Sequence, residues 1–263
     1  MATTMKQDIA AAVLAQNALA ELPTEVVAAD WGAVEELTST DLIVPKIYHQ
    51  QAMSKLVSEG KARPGDFCDS LTGEVIAKKE EPLQVIVFGL YKTMIIKKQN
   101  RQSMKFELDQ IVSINATNAL QYANKPFQEE INGDTYSNSL MYNFYTLIPG
   151  KVSGLPYVLT LGSTKTKAAK KLGTMLTKLS QAKRPGASVV FELTSIAEKN
   201  DNGSWFGVEV SQGRDSTAEE LKAAHAWYVK SKTQKIVAVE EDEEPRQRSG
   251  NAIPDSQDDD INF

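Results

Sequence analysis

The chain has 263 residues, with 29 Lys and Arg against 34 Asp and Glu, and a formal net charge of -5 at pH 7. Its single cysteine and two histidines exclude a disulfide framework, a four-ligand zinc site and a haem-attachment motif. No apolar run approaches the roughly 18 residues that a membrane-spanning helix needs, so we expect a soluble protein in a reducing cytosol.

The acidic total conceals a basic middle. Residues 1–45 carry seven acids and only Lys6, and residues 240–263 carry nine acids and two arginines. Residues 46–239 hold the remaining 26 Lys and Arg against 18 Asp and Glu, a net charge of +8. We therefore predict three parts: an acidic helical extension over 1–45, a folded core over 46–239, and a disordered acidic tail over 240–263.

The core alternates strand and helix signals. The strands are predicted from β-branched and aromatic content, the first helix from apolar residues at helical spacing (Ala168, Leu172, Met175, Leu176 and Leu179), and the second from a capping box formed by Ser216 and Glu219. In chain order we predict strands over 83–96, 140–148 and 155–161, a helix over 164–182, strands over 188–195 and 204–211, and a helix over 216–230. Turn residues at 149–154 and 200–203 join the second strand to the third and the fourth to the fifth.

This order predicts a mostly β fold with added helices. A helix between the third and fourth of five strands is the order of a five-stranded Greek-key OB barrel, although an antiparallel α+β sandwich gives the same string. The connection over 97–139 is unusually long for a hairpin, so we expect an insertion after the first strand.

The start of that connection mixes cations with aromatic side chains. Residues 91–106 contain five cations and no acid, and further aromatic residues follow at Tyr122, Phe127 and Tyr136. Single-strand binders need this mixture, because cations follow the phosphates and flat rings stack on bases. The alternative is a hydrated hairpin edge. The candidate DNA-binding residues, expected to meet in one open cleft, are Tyr91, Lys92, Lys97, Lys98, Arg101, Lys105, Phe106, Tyr122, Lys125, Tyr145 and Trp205.

The faces of the later strands separate core from candidate binding residues. Tyr142 and Phe144 share one face and are expected in the core, whereas Tyr145 lies on the other face. Trp205 is equally compatible with stacking on a base and with covering the end of the barrel. Trp227 and Tyr228 are expected to be packing residues, and the lysines of the 164–182 helix a hydrated face.

No enzyme motif is found in the sequence. The phosphate-binding G-x-x-x-x-G-K-[ST] loop, G-x-S-x-G and G-x-G-x-x-G are all missing. A Cys68 nucleophile with His49 as base is not excluded by sequence distance, but such a lone pair is more often structural. We therefore expect a protein without enzymatic activity, cofactor or metal.

The segment 258–263 has the composition of a docking peptide. Phe263 can fill an apolar pocket while neighbouring carboxylates meet a basic rim on a partner. The candidate partner-binding residues are Asp258, Asp259, Asp260, Ile261 and Phe263. This ending resembles the D-D-D-I-P-F tip of bacterial single-stranded DNA-binding proteins, with Asn262 at the proline position, and is similar to the acidic, Phe-terminated tails of equivalent bacteriophage proteins.

The resemblance implies a single-stranded DNA-binding protein of the bacteriophage type, acting in DNA replication, recombination and repair in the cytoplasm of a bacterial host. Its tip would recruit a polymerase, primase, helicase or nuclease. A tail of net charge -7 tethered to a core of +8 is also expected to compete with DNA for the basic groove. The alternatives are a strand-annealing recombinase, an interaction adaptor or transcription co-activator without significant DNA binding, and an unrecognised hydrolase or nuclease. The sequence leaves a homo-oligomer open.

Overall fold

The computed structural model describes residues 44–123, 125–151, 154–200 and 203–233. The predicted helices of the 1–45 extension, apart from positions 44 and 45, lie outside these ranges. So do the predicted tail over 240–263 and its candidate docking residues.

The described residues form ten strands and four helices, joined by turns and loops. The prediction of a mostly β fold with added helices is therefore confirmed. The strands are β1 Lys46–His49, β2 Phe67–Asp69, β3 Val75–Ala77, β4 Leu83–Gln99, β5 Phe106–Ile114, β6 Gln128–Ile131, β7 Asp134–Leu147, β8 Tyr157–Gly162, β9 Val189–Asn200 and β10 Gly203–Asp215. The helices are α1 Lys55–Ser58, α2 Ala119–Ala123, α3 Thr166–Gln181 and α4 Ala218–Thr233, with short 3-10 turns at Ser163–Lys165 and Gly186–Ser188.

All ten strands belong to one sheet in the order β10-β9-β4-β7-β8-β1-β2-β3, with β5 beside β4 and β6 beside β7. Every pairing is antiparallel except that of β1 with β8, which is parallel. The two predicted hairpins, β7–β8 and β9–β10, are both present. The sheet is open along this path and larger than the five strands expected from the sequence.

One face of the sheet, here called the inner face, carries Tyr142 and Phe144 and packs against α3. Its buried side chains include Phe67, Phe191 and Leu193 of the sheet and Leu172 of the helix. Burial of these rings and aliphatic side chains is the main force that holds α3 on the sheet, at about 25 cal/mol per Å² of apolar surface removed from water. The predicted apolar stripe of this helix is therefore confirmed.

The opposite face, here called the outer face, packs against α4. Ile86, Phe88, Leu147 and Val190 form a second buried cluster with Ala224 of that helix. Trp227 lies against the same cluster, half-buried, as expected for a packing residue. Tyr228 differs: it is 42% exposed, and the Lys232 ammonium lies 5.2 Å from its ring centre.

A β-bulge in β4 exchanges the faces on which its side chains lie. Val87 pairs with Thr146 of β7, and Gly89 pairs with the adjacent residue Tyr145, so Phe88 is the extra residue. Side chains alternate between faces along a strand, and one extra residue reverses that alternation. Odd-numbered Val85 and Val87 thus belong to the inner core, whereas beyond the bulge even-numbered Met94 lies opposite inner-face Leu140.

The predicted insertion over 97–139 is mostly sheet and not loop. β4 continues through Gln99, β5 returns along it, and β7 begins already at Asp134 beside β6. The four-stranded extension in the order β5-β4-β7-β6 is called the arm below. Its strands were missed because β5 is largely exposed along its length and therefore lacks the one-sided apolar alternation that marks a strand in sequence.

The capping box of α4 lies one residue later than predicted. The Thr217 backbone N–H donates to Glu220 Oε2 at 2.8 Å, and the Glu220 N–H donates to Thr217 Oγ1 at 3.2 Å. Ser216 and Glu219 have the same spacing but do not form the box. Glu220 is selected because it is buried and also bound by Arg214.

A polar network connects the segment after β1 to the β9–β10 hairpin. Gln51 Nε2 donates to the Phe206 carbonyl at 3.0 Å, and the Phe206 N–H donates to Gln51 Oε1 at 3.0 Å. His49 Nε2 is 2.9 Å from Ser195 Oγ, and the His49 ring stacks on Phe67 with centres 4.6 Å apart. Burial and nearby Lys165 lower the pKa of His49 to about 3, so this imidazole is neutral at pH 7.

Candidate nucleic-acid interface

The candidate residues of β4 lie on both faces of the arm. Lys92 pairs with Tyr142 and Lys98 with Tyr136, which puts both lysines on the inner face. Their ammonium groups lie 5.2 and 5.9 Å from the centres of those rings, a cation–π arrangement. Tyr91 and Lys97 alternate with them and lie on the outer face. The run 91–106 therefore divides its cations between two surfaces.

The tip of the arm gathers cations around one carboxylate. Lys98 Nζ is 2.6 Å from Asp134 Oδ2, and Arg101 Nη2 is 2.7 Å from Asp134 Oδ1. These two partners hold the pKa of Asp134 below its ordinary value, Lys98 by its hydrogen bond being the larger cause. The arm thus uses two of its candidate cations in exposed internal ion pairs, which contribute little to stability.

Two further candidate cations at the tip are unpaired. Within the described ranges, neither Lys97 nor Lys105 has a carboxylate at ion-pair distance, and Lys105 is exposed. Phe106, the first residue of β5, lies opposite Gln99 and is half-buried. Residues 92–139 nevertheless contain five acids against six cations, so positive charge is local to the tip and does not extend over the whole arm.

The inner face of the arm borders a cleft of about 320 Å³. Tyr122 at the end of α2 and the following Lys125 and Phe127 form one wall. The other lining residues are Met94 of β4, Asn138, Ser139 and Leu140 of β7, Ser163 of the 3-10 turn and Thr166 at the start of α3. Two candidate residues, Tyr122 and Lys125, are brought together here, and they meet Phe127, which the sequence had shown only as part of the aromatic pattern.

Asn138 holds the cleft wall through its amide nitrogen. Nδ2 donates to the Pro126 carbonyl at 3.1 Å and to Glu129 Oε1 at 2.9 Å. These two acceptors fix the orientation of the amide, since the oxygen cannot take the place of the nitrogen. Asn138 is only 5% exposed, yet its Oδ1 has no hydrogen-bond partner among the described residues. A buried acceptor without a donor is uncommon and costs about 1–3 kcal/mol.

The cleft carries almost no net charge of its own. Lys125 Nζ forms a short ion pair with Glu129, and both side chains are largely shielded from solvent. This ammonium, together with Asn138, lowers the pKa of Glu129. A positive and a negative charge therefore cancel at the wall, and the polar atom without a hydrogen-bond partner there, Asn138 Oδ1, is buried.

Tyr145 lies apart from this cleft, on the outer face. Its ring packs between Phe88, with centres 5.9 Å apart, and Tyr91, with centres 5.1 Å apart. Trp227 of α4 packs in the same region, and burial raises the pKa of Tyr145. Both tyrosines are half-buried, so they form part of the α4 packing surface and not an open platform on the arm.

Trp205 lies far from the arm tip. In the β9–β10 ladder Trp205 lies opposite Glu198. Glu198 is five residues along β9 from Leu193, which pairs with Leu83 at the start of β4. Trp205 therefore lies beyond the start of β4, whereas Gln99 is at the other end of that strand. Trp205 Nε1 donates to Glu198 Oε2 at 2.7 Å. The single open cleft expected from the sequence is therefore not observed, because strand alternation puts Tyr91 and Tyr145 on the other face and the sheet register puts Trp205 beyond the other end of β4.

Cys68 and His49 do not form the alternative catalytic pair. In the β1–β2 register His49 lies opposite Phe67, whereas Cys68 lies opposite Tyr48, so the thiol and the imidazole lie on opposite faces. Burial, with Asp66 nearby, raises the pKa of Cys68 to about 11, which disfavours the reactive thiolate. In the described ranges no group of three or more His, Cys, Asp or Glu side chains is arranged to hold a metal ion.

The described helices include none that is long and apolar enough to cross a membrane. No curated protein matches the chain. No solved structure matches it either. The family model described as Pam3 phage gp34-like protein matches residues 16–237, which is most of the sequence. The chain therefore belongs to the Pam3 phage gp34-like protein family.

Proposed function

We propose that this protein binds single-stranded DNA without sequence preference during phage DNA replication, recombination and repair. The observation that carries the proposal is the cleft beside the arm, where Tyr122, Lys125 and Phe127 converge next to the cation-bearing strand β4. Rings stacked on bases contribute about 1–3 kcal/mol each, largely regardless of sequence, and lysines attract the phosphates. The protein acts in this proposal as a binding protein and not as an enzyme.

The strand order supports an OB-type barrel as the basis of this function. The order β9-β4-β7-β8 is that of a Greek key, in which a fourth strand returns beside the first of three consecutive strands. α3 lies between the third and fourth of them, and β10 pairs with the fourth. β1 beside β8, β2, β3 and the arm are then additions to the five-stranded plan.

In OB folds, oligonucleotides bind across the second and third strands and at the loops between strands one and two and between strands four and five. The arm occupies the first of these connections here, and the hairpin after Asn200 occupies the second. Trp205 lies near that second hairpin, paired with Glu198. A path for the strand from the cleft towards the hairpin accounts for candidate residues at both places.

The proposal extends to the acidic tail. Residues 240–263 have a net charge of -7, and in this proposal they compete with DNA for the cations of the arm tip. The displaced residues 258–263 then recruit a replication or recombination protein through Phe263 and the adjacent carboxylates. This arrangement couples exposure of the docking segment to the presence of single-stranded DNA.

The test is a tryptophan fluorescence titration of the full chain with oligo(dT) at two salt concentrations. We expect quenching, with an affinity that falls steeply as salt rises, since each phosphate contact contributes about -0.7 to the slope of log K against log salt. Oligo(dA) and oligo(dC) should bind within about tenfold of oligo(dT). The absence of binding at low salt, or an affinity that does not change with salt, would contradict the proposal.

An interaction adaptor is the second candidate, and the exposed edge of β5 favours it. Leu108 and Ile111 are 45% and 43% exposed on a strand that pairs on one side with β4. An exposed edge of this kind can pair with a strand of another protein. The same titration distinguishes the two, since an adaptor shows no oligo(dT)-dependent quenching.

A further inference from the structure

We propose that the lysine-bearing side of α3 binds the phosphates of the single strand. This inference rests on the proposed single-strand binding and goes beyond it by assigning a phosphate surface outside the arm and its cleft. The sequence predicted these lysines only as a hydrated face. The charge distribution, the geometry of the helix and the turn after it each point instead to an anionic ligand.

The net positive charge of the core comes from the segment that contains α3. Residues 135–191 hold eight Lys and Arg and no Asp or Glu, a net charge of +8. The rest of residues 46–239 holds 18 Lys and Arg and 18 Asp and Glu, which cancel. A surface with charge of one sign attracts anions to itself. Six of the eight cations are exposed on α3 or directly after it: Lys167, Lys170, Lys171, Lys178, Lys183 and Arg184.

The four lysines of α3 form one stripe. With 3.6 residues per turn, the spacings of three, one and seven residues between them keep all four within an arc of about 100°. Leu172 and the other buried residues of the helix lie on the side that packs against the sheet. From Lys167 to Lys178 the stripe is about 17 Å long, at about 1.5 Å per residue. It is therefore long enough to contact more than one phosphate of the same strand.

This arrangement is unfavourable for the helix by itself. Lys170 and Lys171 follow Lys167 by three and four residues, and like charges at these spacings repel each other. The first turn of α3 has no acidic residue, although the N-terminal end of a helix favours acids over cations. α4 has the usual pattern, with glutamates in its first turn and lysines in its last. A bound polyanion offsets the repulsion on α3.

Most of the exposed cations are available to a ligand. Four of the six have no carboxylate at ion-pair distance within the ranges that the structure describes: Lys167, Lys170, Lys178 and Lys183. Lys171 Nζ is 3.5 Å from Glu209 Oε1. Arg184 Nη2 is 2.6 Å from Asp215 Oδ1. Both of these pairs are exposed, and exposed pairs contribute little to stability, so a phosphate can replace either carboxylate.

The turn after α3 holds a lysine in an unfavourable backbone conformation. Lys183 has a φ of 56°, in the left-handed region, and the Arg184 N–H donates to the Leu179 carbonyl at 2.9 Å across it. Helices usually have glycine at this position, because a Cβ is disfavoured there. Residues in such conformations are concentrated at functional sites. The chain thus has a further cation at the end of the helix where glycine fits better.

The position of the stripe favours a DNA strand over other polyanions. Thr166, at the start of α3, lines the cleft that also contains Tyr122 and Phe127. Lys170 follows Thr166 by one helical turn. Rings for the bases and ammonium groups for the phosphates are therefore neighbours, the combination that single-strand binding needs. A membrane surface is disfavoured, since no residue of α3 is a large exposed apolar side chain of the kind that enters lipid.

The test compares two variants of the full chain that lose the same charge. The α3 variant combines Lys167→Gln, Lys170→Gln and Lys178→Gln, and Gln has nearly the same helix propensity as Lys. The control variant replaces three exposed lysines that precede β4, namely Lys55→Gln, Lys61→Gln and Lys78→Gln. Binding of fluorescein-labelled oligo(dT) is followed by anisotropy at several salt concentrations.

We expect the α3 variant to bind about tenfold more weakly at low salt and to lose about 2 from the slope of log K against log salt, at about 0.7 for each phosphate contact. The control variant should keep the wild-type slope. Lys183→Gly is a second variant, because it removes a cation and also relieves the left-handed conformation. It should be no less stable than wild type in urea and should lose about 0.7 from the slope.

Each outcome separates this surface from the general function. If the α3 variant keeps the wild-type slope, or if the control variant loses as much, the phosphate surface is wrong while strand binding stands. If wild-type protein does not bind oligo(dT), the proposed function itself fails.

The acidic residues 240–263 are the alternative occupant of the stripe. A full-length chain in which the nine acids of this segment are replaced by Asn or Gln distinguishes the two. The three α3 substitutions should lower the slope in this chain as they do in wild type. If they have no effect there, the lysines bind the acidic segment and not the DNA strand, and the proposal is overturned.

Discussion

Arg214 and Glu220 are joined by two parallel hydrogen bonds at the start of α4, Nη1 to Oε2 at 2.8 Å and Nη2 to Oε1 at 2.7 Å. Thr217 completes the arrangement through its reciprocal bonds with Glu220. The three residues join the end of β10 to the helix that covers the outer face. Arg214, the larger cause, and Thr217 together lower the pKa of Glu220 to about 2.

Glu220→Gln should therefore destabilise the protein. The loss of the charged partner of the cap is expected to cost about 0.5–2 kcal/mol of unfolding free energy at pH 7. Because the folded pKa is lowered, this contribution is complete above the ordinary value of 4.5 and is lost as the pH falls towards 2. Urea denaturation at pH 7 and pH 3 measures both effects. Glu219→Gln, in the same helical turn, should have little effect; equal losses for the two variants would contradict the assignment of the cap.

Protonation of His49 should weaken the fold in mild acid. Its folded pKa of about 3 lies below the ordinary 6.5, so the unfolded chain binds the proton first. Stability is expected to fall as the pH drops from 6.5 towards 3, by up to about 1.4 kcal/mol per pH unit.

The measurement for His49 is a series of urea titrations between pH 7 and pH 5, a range in which Glu220 does not titrate. His49→Gln should be less stable than wild type at pH 7 and should show a flatter dependence on pH. A wild-type stability that does not change between pH 6.5 and pH 5 would show that the imidazole is not held neutral.

The tip cations should govern the salt dependence of DNA binding. Lys97→Ala or Lys105→Ala is expected to reduce the slope of log K against log salt by about 0.7 if each lysine contacts one phosphate. Lys78→Ala is the control, because Lys78 is exposed like Lys105 but precedes the other end of β4. The same slope for all four proteins would place the phosphate path away from the tip.

Asp134→Asn should act in the opposite direction. Removal of this carboxylate releases Lys98 and Arg101 from their ion pairs, so both become available to phosphates. We expect tighter oligo(dT) binding at low salt and a steeper salt slope, measured by fluorescence titration. Weaker binding by this variant would mean that the Asp134 pairs hold the arm in its binding conformation.

Deletion of residues 240–263 should tighten single-strand binding and abolish partner recruitment. The reason is that the deletion removes nine acids that compete with DNA for the same cations. Titration of the full and shortened chains at equal salt measures the change. A chain with alanine in place of Phe263 alone is the matched control, since it keeps the charge and should lose only the recruitment. Unchanged affinity of the shortened chain would count against competition.

The sequence predicted the parts of the fold that have a one-sided apolar pattern. The stripe of α3 around Leu172 and the core faces of β7, β8, β9 and β10 follow directly from periodicity. The extra residue Phe88 has no such signal, because a bulge depends on how two strands pair and not on the residue inserted. The cap of α4 was ambiguous because Ser216 and Thr217 each have a glutamate three residues later.

The candidate site was predictable to a similar degree. Tyr122 and Lys125 were found from composition alone, and the structure brings them to one cleft. No sequence pattern marked Asn138 as a residue of the cleft wall, because its role depends on hydrogen bonds to residues 126 and 129 on a neighbouring segment. Tyr145 was assigned correctly to the opposite face from Phe144. No pattern in the neighbouring sequence predicted that Tyr91 and α4 would pack against it.

The bulge at Phe88 decides which cations of β4 lie on the inner face of the arm. Deletion of Phe88 would leave Val87 opposite Thr146 and Gly89 opposite Tyr145, so Met94 and Lys98 would keep their β7 partners and their face. If Phe88 were instead retained and paired with Tyr145, every later residue of β4 would move one position along β7, and Ile95 and Lys97 would replace Met94 and Lys98 on the inner face. The same amino acids can thus present either of two surfaces, depending on whether residue 88 is paired.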